Sequence, residues 1–412
     1  MEKFLSDLNK KIPFEIDLTK EEDSSNTADL AGQILDKGAT FDELYALEKD
    51  FSKRKDISLR IQLALKLAIS KKLVLKLKKP LKVSVCFAMY KEHNRIKRCQ
   101  DHPHGENFLF RKVSQLHWLF DDTPHIEWKM FLVDDGCPEG CGRIAEQMIK
   151  DGGLSGSVEV AFLEQAIQSK SAVVADLESS ADSQKGGSIH LGLWNAMEQG
   201  MGADHIAVYT DADMSTHLGQ IGLLLSPIVE DGKLAAIGSR RESASIVIKK
   251  GTRNTRGKLF IYLWKRLLKP LNYLTDTQCG FKAFKAEILP ELLKSPIERK
   301  FAFDIELLLK TENIQKGSIA KVPVAWFDSE AASTTTDLSP YLPMLKKIVE
   351  MYRTYLPEGV EEESFAGFID DLSEEQWNHL VENVPAEIAD GDPAVFDAFD
   401  KIKPGDFDLL RS

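Results

Sequence analysis

The chain has 412 residues, of which 43% are hydrophobic and 28% charged, and its formal net charge at pH 7 is −11. This composition is typical of a globular protein with a substantial core. No apolar run approaches the roughly eighteen residues of a membrane-spanning helix, and we expect no secretion signal at the start. The chain lacks the basic footprint of a nucleic-acid binder, so we expect no nucleic-acid partner.

The five cysteines are scattered along the chain and odd in number. In a chain of this size, such usage favours reduced thiols and a cytoplasmic protein. Cys137 and Cys141, in the segment CPEGC, could supply half of a zinc site, but no second Cys or His pair follows at ligand spacing. We therefore expect no metal ion at these two cysteines.

The first predicted region is a helical N-terminal extension over residues 1–80. Its last stretch, RIQLALKLAISKKLVLKLKKP, mixes Leu, Ile and Ala with lysines until Pro80 ends it. The favoured interpretation is a helix that packs on the main domain with its lysines in water. The alternative is an amphipathic element over residues 60–80 that lies on an anionic membrane surface, which would make the protein membrane-peripheral.

Residues 81–328 alternate between strand-like and helix-like segments. The strand candidates are KVSVCFAM, IEWKMFLV, VEVAFL, HIAVYT, KLAAIGS and IAKVPVAWF, and amphipathic stretches such as NFLFRKVSQLHWLF and SIHLGLWNAMEQG separate most of them. This alternation predicts an α/β domain with a largely parallel sheet flanked by helices. In such sheets, ligands bind beyond the carboxyl ends of the strands.

Residues 329–412 are predicted to form a helical, acidic C-terminal extension. A helix is expected around Met344 to Tyr355, and SEEQWNHLVENV begins with an N-cap residue and continues with helical spacing. From Glu358 to the end, the acidic tail has sixteen acidic residues against three basic ones. Such a block is usually solvated surface, and the alternative is a docking surface for a protein partner.

Two common nucleotide-binding motifs are missing from the strand ends. The first strand continues as VSVCFAMYKEHNRI without a glycine, which excludes the G-x-G-x-x-G of dinucleotide-binding enzymes. GTRNTRGKL has five residues between its glycines, and Leu259 stands where a P-loop needs a metal-binding Ser or Thr.

Carboxylates and a lysine follow the strands instead. Asp211 and Asp213 follow HIAVYT, Asp134 and Asp135 end the second strand, and Lys185 precedes two glycines and a helix. Paired carboxylates repel each other unless a cation lies between them, and Mg²⁺ is typically held by one or two carboxylates together with substrate phosphates. A helix N-terminus and a lysine favour anionic oxygens, and carboxylates suit ribose hydroxyls or base N–H groups. These residues together predict a pocket for a nucleotide diphosphate.

Seven segments, in chain order, carry a resemblance to a known family: VSVCFAMYKEHNRI, FLVDDGCPEG, QKGGSIHLGLWNAM, YTDADMS, AAIGSRR, DTQCGFKAF and FAFDIELL. Across about residues 82–327 the chain resembles the family 2 glycosyltransferases of the GT-A (nucleotide-diphospho-sugar transferase) fold. It is most similar to the branch of dolichyl-phosphate β-glucosyltransferases and polyprenyl-phosphate mannosyltransferases. The resemblance implies an inverting, metal-dependent transfer of a hexose, with glucose from UDP-glucose favoured over mannose from GDP-mannose. The implied acceptor is a polyprenyl phosphate or, alternatively, a hydroxyl group.

The resemblance also implies roles for individual residues. Tyr90, Asn94, Asp134 and Asp135 would hold the nucleoside, and Asp211 and Asp213 would bind Mg²⁺ or Mn²⁺ on the donor diphosphate. Lys185, Arg240 and either Arg253 or Arg256 would lie near the phosphates. Asp276, Gln278 and Gly280 would lie where the acceptor approaches the sugar, and Asp304 and Glu306 where relatives with hydroxyl acceptors place a catalytic base. Asp276, Asp304 and Arg240 are the residues that we expect to be catalytic.

Most of these assignments have a structural alternative. Asp211 and Asp213 could cap the following helix, and Lys185 could be a surface residue in a Ser-rich loop. Asp304 and Glu306 could favour a helix N-terminus electrostatically. The alternative function is a non-catalytic module that binds a nucleotide sugar and docks a partner through the acidic tail.

The chain also departs from the family. Met89 stands where the family has a proline, and the insertion RCQDHPHGENF adds His102, His104 and Glu106, to which we assign no role.

Overall fold

The computed structural model describes residues 1–200, 204–248, 254–328, 341–394 and 402–407. Its strands are β1 (Leu81–Met89), β2 (Ile126–Asp134), β3 (Val158–Phe162), β4 (His205–Thr210), β5 (Ala235–Ser239), β6 (Ile246–Ile248), β7 (Phe281–Lys285), β8 (Ile319–Pro323) and β9 (Ala325–Phe327). Its helices are α1 (Glu2–Asn9), α2 (Glu21–Asp36), α3 (Phe41–Phe51), α4 (Leu59–Lys76), α5 (Phe108–Phe120), α6 (Cys141–Asp151), α7 (Leu163–Gln168), α8 (Gly186–Glu198), α9 (Ile221–Val229), α10 (Asn254–Leu267), α11 (Leu289–Leu292), α12 (Phe303–Ile314), α13 (Tyr341–Tyr355), α14 (Val360–Asp371), α15 (Glu374–Glu382) and α16 (Ala386–Ala389).

A mainly parallel sheet lies at the centre of the molecule. Within the described residues it has seven strands in the order β3-β2-β1-β4-β7-β5-β8. Only β7 runs antiparallel to its neighbours, β4 and β5. Strand β1 lies between β2 and β4 and is parallel to both. The connections from β1 to these two strands therefore leave in opposite directions, and a crevice forms at the carboxyl ends of the strands. The structure confirms the predicted fold class, a largely parallel sheet flanked by helices.

Each face of the sheet is covered by its own apolar core. Val83, Val85 and Phe87 of β1 belong to the core that contains the buried residues of α4 and α5. Cys86 belongs to the other core, together with buried residues of α8, α10 and α12. This division follows from the pleat of a strand, which directs successive side chains to opposite faces. Helices on both faces explain why the strands read as nearly continuous apolar runs.

The sequence prediction missed two strands and merged two others. The predicted segment IAKVPVAWF is interrupted at Val324, so that β8 stays in the main sheet and β9 pairs with β6 in a second, two-stranded sheet. The strands β6 and β7 were not predicted. β7 has two lysines among its five residues and β6 has only three residues, so neither has the apolar length of the other strands.

Helix α4 is the packed centre of the N-terminal extension. It contacts α2, α3 and α9, and its residues from Ile61 to Ser70 are all buried. Lys66 is fully buried, and its Nζ lies 2.7 Å from Glu48 Oε1 and 3.2 Å from the carbonyl oxygen of Pro323. The expectation that the lysines of this helix lie in water is therefore wrong for Lys66.

The predicted membrane contact of residues 60–80 does not fit this burial. A helix that lies on a membrane needs an apolar face free of protein, whereas the apolar residues of α4 are packed against other helices. The packing of α4 therefore favours the first interpretation, and the membrane contact stays a prediction. Among the described residues, no helix combines the length and the apolar character needed to cross a bilayer.

The C-terminal extension packs on α10. Helices α13, α14, α15 and α16 all contact it. Lys258 Nζ donates to the carbonyl oxygen of Ala389 at 2.7 Å, and Tyr262 Oη donates to that of Ile402 at 3.0 Å. Glu361 of the acidic tail accepts hydrogen bonds from Lys269 and Lys403. Part of the acidic tail therefore forms contacts within the chain. The docking of a protein partner on this tail remains a prediction.

The contact between α4 and α9 yields a stability prediction. A Cβ atom on Gly222 of α9 would lie 2.3 Å from the carbonyl oxygen of Ser70, whereas a Cβ atom on Gly32 of α2 would meet no atom within 4 Å. We expect Gly222→Ala to lower the free energy of unfolding by about 1–3 kcal/mol, because the backbone of α4 must move. Gly32→Ala should raise it by about 0.5–1 kcal/mol through helix propensity. Urea unfolding measures both, and equal effects would contradict the packing described here.

Candidate active site

The two aspartates that follow β4 lie at the crevice. Asp211 Oδ1 lies 2.5 Å from Nζ of Lys185, whose backbone occupies the N-cap position of α8 with a positive φ of 86°. Asp213 Oδ1 accepts a hydrogen bond of 3.0 Å from the backbone N–H of Ser215. The structure thus brings together the predicted lysine and the predicted aspartate pair. Lys185 is consequently not a plain surface residue.

The capping alternative for these aspartates is wrong. The helical turn before α9 begins after His217, whose Nδ1 accepts from the backbone N–H of Gly219 at 3.0 Å. Neither Asp211 nor Asp213 occupies that cap. We name residues 211–218, from the end of β4 to the first residue of this helical turn, the D-x-D loop.

The D-x-D loop has features that suit a divalent cation held together with a ligand. A Cβ atom on Gly280 would lie 2.3–2.5 Å from the carboxylate of Asp211. Any residue other than glycine at position 280 would therefore displace this carboxylate. The described residues contain no group of three His, Cys, Asp or Glu side chains placed to hold a metal ion. Asp211 and Asp213 therefore fit Mg²⁺ or Mn²⁺ only where phosphate oxygens of a substrate supply further ligands, as is common for Mg²⁺.

The predicted nucleoside residues Asp134 and Asp135 are buried at the end of β2. Asp134 accepts from the backbone N–H groups of Cys137 at 2.9 Å and Gly142 at 2.6 Å, which satisfies the N-terminus of α6. Asp135 accepts from the backbone N–H of Lys185 at 2.9 Å and from Ser188 Oγ at 2.8 Å. These aspartates thus hold the loops around the crevice, and their contact with a nucleoside remains a prediction.

The turn after β1 carries the other predicted nucleoside residues. The Tyr90 ring is 43% exposed, and Asn94 is half-buried. The backbone N–H of Lys91 donates to Cys137 Sγ at 3.2 Å, and that of Glu92 donates to Cys141 Sγ at 3.1 Å. The two cysteines therefore hold this turn against the start of α6, a role that the sequence did not suggest.

Arg240, which is half-buried, forms an ion pair with the buried Asp276. Arg240 Nε lies 2.7 Å from Asp276 Oδ2, Nη2 lies 2.8 Å from Oδ1, and the backbone N–H of Arg240 also donates to Oδ2. Burial alone would raise the pKa of Asp276, but the Arg240 guanidinium outweighs it and holds this pKa well below its usual range. A carboxylate with low proton affinity and both oxygens engaged does not suit a catalytic base, so the geometry favours a positioning role for Asp276.

The other predicted phosphate and acceptor residues are less defined. Arg256 lies in the first turn of α10 and is half-buried, whereas Arg253 lies outside the described residues. Gln278 is half-buried, and its Nε2 donates to the carbonyl oxygen of Thr277 at 3.4 Å. Their roles toward a donor or an acceptor remain predictions.

Asp304 lies in the first turn of α12 and faces Lys282 of β7. Lys282 is fully buried, and its Nζ lies 2.9 Å from Asp304 Oδ1 and 2.5 Å from the carbonyl oxygen of Cys279. Burial raises the pKa of Asp304 well above its usual range and lowers the pKa of Lys282 to about 7. Lys282 was missed as a site residue, although a lysine between Phe281 and Ala283 in DTQCGFKAF was a visible signal.

Glu306 serves the fold rather than the crevice. Its carboxylate accepts from the backbone N–H groups of Ile297 and Glu298 and from Tyr355 Oη at 2.7 Å. It also lies 3.2 Å from Lys310 Nζ. This geometry does not suit the implied role of Glu306 as a catalytic base, because its oxygens are occupied by the loop before α12 and by α13.

Comparison with known proteins supports the resemblance. The chain is 28% identical over 285 residues to a dolichyl-phosphate β-glucosyltransferase of Drosophila melanogaster. This match covers 67% of this chain and 76% of the relative. The chain is 25% identical over 284 residues to the Homo sapiens protein of the same name, with the same shares covered. The chain is thus similar to dolichyl-phosphate β-glucosyltransferases. The resemblance stated from seven motifs and the predicted class of enzyme, a glycosyltransferase, are confirmed.

Two further comparisons complete this result. No protein-family model matches the chain. Among solved structures, a glucosyl-3-phosphoglycerate synthase from Mycobacterium tuberculosis, in complex with Mn²⁺, UDP and glucosyl-3-phosphoglycerate, matches with a TM-score of 0.46 and 16% identity. The match covers 71% of this chain and 85% of that chain. A likeness at this level bears on neither the metal nor the acceptor.

The Arg240–Asp276 pair yields a second prediction. Asp276→Asn should lower the free energy of unfolding by about 2–4 kcal/mol, because the half-buried Arg240 loses its counter-charge. The double variant Arg240→Met with Asp276→Asn should recover a large part of this loss, because it leaves no unpaired charge. Urea unfolding of the wild type, both single variants and the double variant measures the coupling. Strict additivity of the two single effects would contradict a paired role.

Proposed function

We propose that the chain is an inverting, metal-dependent glycosyltransferase that transfers glucose from UDP-glucose to a polyprenyl phosphate. The observation that carries this proposal is the juxtaposition of Lys185, Asp211 and the N-terminus of α8 at the carboxyl ends of β1, β2 and β4. This is the crevice where open α/β sheets bind ligands. It offers both a cation and a helix N-terminus to a diphosphate.

The donor would be held by its diphosphate and by its nucleoside. Asp211 and Asp213 would bind Mg²⁺ or Mn²⁺ together with the diphosphate, and Lys185 lies within reach of the same oxygens. The exposed ring of Tyr90 offers an apolar surface for a base, and the carboxylate of Asp135 can accept further hydrogen bonds from ribose hydroxyls.

The reaction needs stabilisation of the leaving diphosphate. Breaking the anomeric C–O bond places negative charge on the diphosphate and positive charge on the sugar ring. A bound divalent cation would act as a Lewis acid for this leaving group. Lys185 and Arg240 add fixed positive charge, and because Asp276 fixes Arg240 through three hydrogen bonds, little reorganisation is needed when the charge develops.

The acceptor is proposed from the names of the relatives. Dolichyl-phosphate β-glucosyltransferases are named for a polyprenyl phosphate acceptor. A phosphate oxygen is a nucleophile at neutral pH and needs no base, whereas a hydroxyl acceptor needs a carboxylate to take its proton. Asp304, with its raised pKa, is the described residue that suits a base if the acceptor is a hydroxyl.

Calorimetric titration tests the donor site. We expect UDP and UDP-glucose to bind in Mn²⁺ and to bind more weakly in EDTA, and GDP to bind more weakly than UDP. Asp213→Ala should remove the metal-dependent part of this affinity, because one of two carboxylate ligands is lost. Asp204→Asn, at the other end of β4, is the matched control and should bind as the wild type does. Absence of nucleotide binding would contradict the glycosyltransferase proposal.

The role of Asp304 is tested by the pH dependence of turnover. A base must be deprotonated, so with a hydroxyl acceptor or water the rate should rise with pH through the raised pKa of Asp304. Asp304→Asn should lower this rate by roughly 10²–10⁴ and abolish the dependence. With a short-chain polyprenyl phosphate as acceptor, the same variant should retain most of its rate. Release of UDP measures both, and unchanged UDP binding by the variant is the control.

A further inference from the structure

A buried lysine lies behind the D-x-D loop and has no role in the site described above. Lys112 of α5 is fully buried, and its Nζ donates a hydrogen bond of 2.9 Å to the backbone carbonyl oxygen of Asp213. The same ammonium lies 5.5 Å from the centre of the Phe87 ring. A lysine without solvent is costly unless it is well partnered. Its place at the second aspartate of the D-x-D loop therefore needs an explanation.

Neighbouring residues of α5 extend this contact in two directions. Gln115 Oε1 accepts from the backbone N–H of Leu218 at 2.9 Å, and Gln115 Nε2 donates to Ser24 Oγ of α2 at 3.3 Å. The guanidinium of Arg111 donates to the backbone carbonyl oxygens of residues 18, 19 and 20. One helix thus connects both ends of the D-x-D loop with residues 18–24 of the N-terminal extension.

Two physical roles for Lys112 predict opposite effects on metal binding. If its charge mainly offsets the repulsion between Asp211 and Asp213, removing the charge should strengthen the attraction of a divalent cation. If its hydrogen bond mainly fixes the loop, removing it should weaken cation binding, because the carboxylates lose their orientation. The direct bond to the backbone of Asp213, and the bond of Gln115 to the same loop, favour the second role.

We propose that Lys112 is a positioning residue for the D-x-D loop, which it holds through the backbone carbonyl oxygen of Asp213. The consequence for metal binding rests on the proposed function, in which Asp213 is a metal ligand. The order of the loop itself does not depend on that function. A measurement on the free protein can therefore test this positioning role alone.

The test compares Lys112→Met with Lys71→Met in the full chain. Lys71 is a matched control because its Nζ donates to the carbonyl oxygen of Trp118 on the same helix α5, away from the D-x-D loop. Hydrogen exchange of the free protein should show faster exchange in residues 211–218 for Lys112→Met only. Calorimetry with UDP should show about a 10-fold or greater loss of affinity in Mn²⁺ and no change in EDTA, as is typical when partners behind a metal ligand are removed.

Other results would overturn the proposal. Unchanged exchange in residues 211–218 shows that Lys112 does not position the loop, and tighter binding in Mn²⁺ shows that its charge outweighs its hydrogen bond. If the wild type binds no UDP, the proposed function fails while hydrogen exchange still decides the role of Lys112. If Lys112→Met does not fold, Gln115→Met replaces it, and we expect faster exchange around Leu218 and a loss of affinity in Mn²⁺ of about 3-fold.

Discussion

Charge pairing at the carboxyl edge of the sheet is the constraint on which the site depends. Three carboxylates meet there, and each has a cation from a different part of the chain: Asp211 with Lys185, Asp276 with Arg240, and Asp304 with Lys282. An unpaired charge in such surroundings would cost several kcal/mol. The six residues come from β7, the segments that follow β4 and β5, the loop before β7 and the starts of α8 and α12, so the pairs form only when these elements are in register. The antiparallel strand β7 is essential to this arrangement, because it places Lys282 inside the sheet.

The two extensions continue the fold and are not loose appendages. Helix α4 is part of the apolar core on one face of the sheet, and the helices of the C-terminal extension belong to the core on the other face. On the first face, α5 contacts both residues 18–24 and the D-x-D loop. On the second face, α13 to α16 contact α10, which includes residues 254–258 of the basic segment GTRNTRGK. Each extension thus packs against a helix that contacts or contains a segment that the resemblance assigns to the diphosphate of the donor.

Much of the sheet could be predicted because parallel strands covered on both faces are apolar runs. The six predicted strand segments all occur, although one is divided between two sheets, and Ser373 begins α15 as its predicted N-cap. The antiparallel β7 was missed because its two lysines interrupt the apolar run that is typical of a buried strand. The pattern of the sequence does not show that an ion pair with Asp304 offsets the cost of burying Lys282. The burial of Lys66 and Lys112 was hidden for the same reason. Sequence pattern reports which residues are polar, whereas their partners depend on contacts between distant segments.

The different surroundings of Asp276 and Asp304 separate two roles that the sequence left open. Both are nearly buried, and both lie beside a cation. Arg240 cannot lose its proton and engages both oxygens of Asp276, so this carboxylate stays ionised and serves to fix the guanidinium. Lys282 offers a single contact and can itself release a proton, so Asp304 can change its protonation state. Under the proposed function, the Arg240 guanidinium that Asp276 fixes would stabilise the leaving diphosphate whatever the acceptor is. Only a hydroxyl acceptor would use the second carboxylate as a base, so the acceptor determines whether Asp304 is needed.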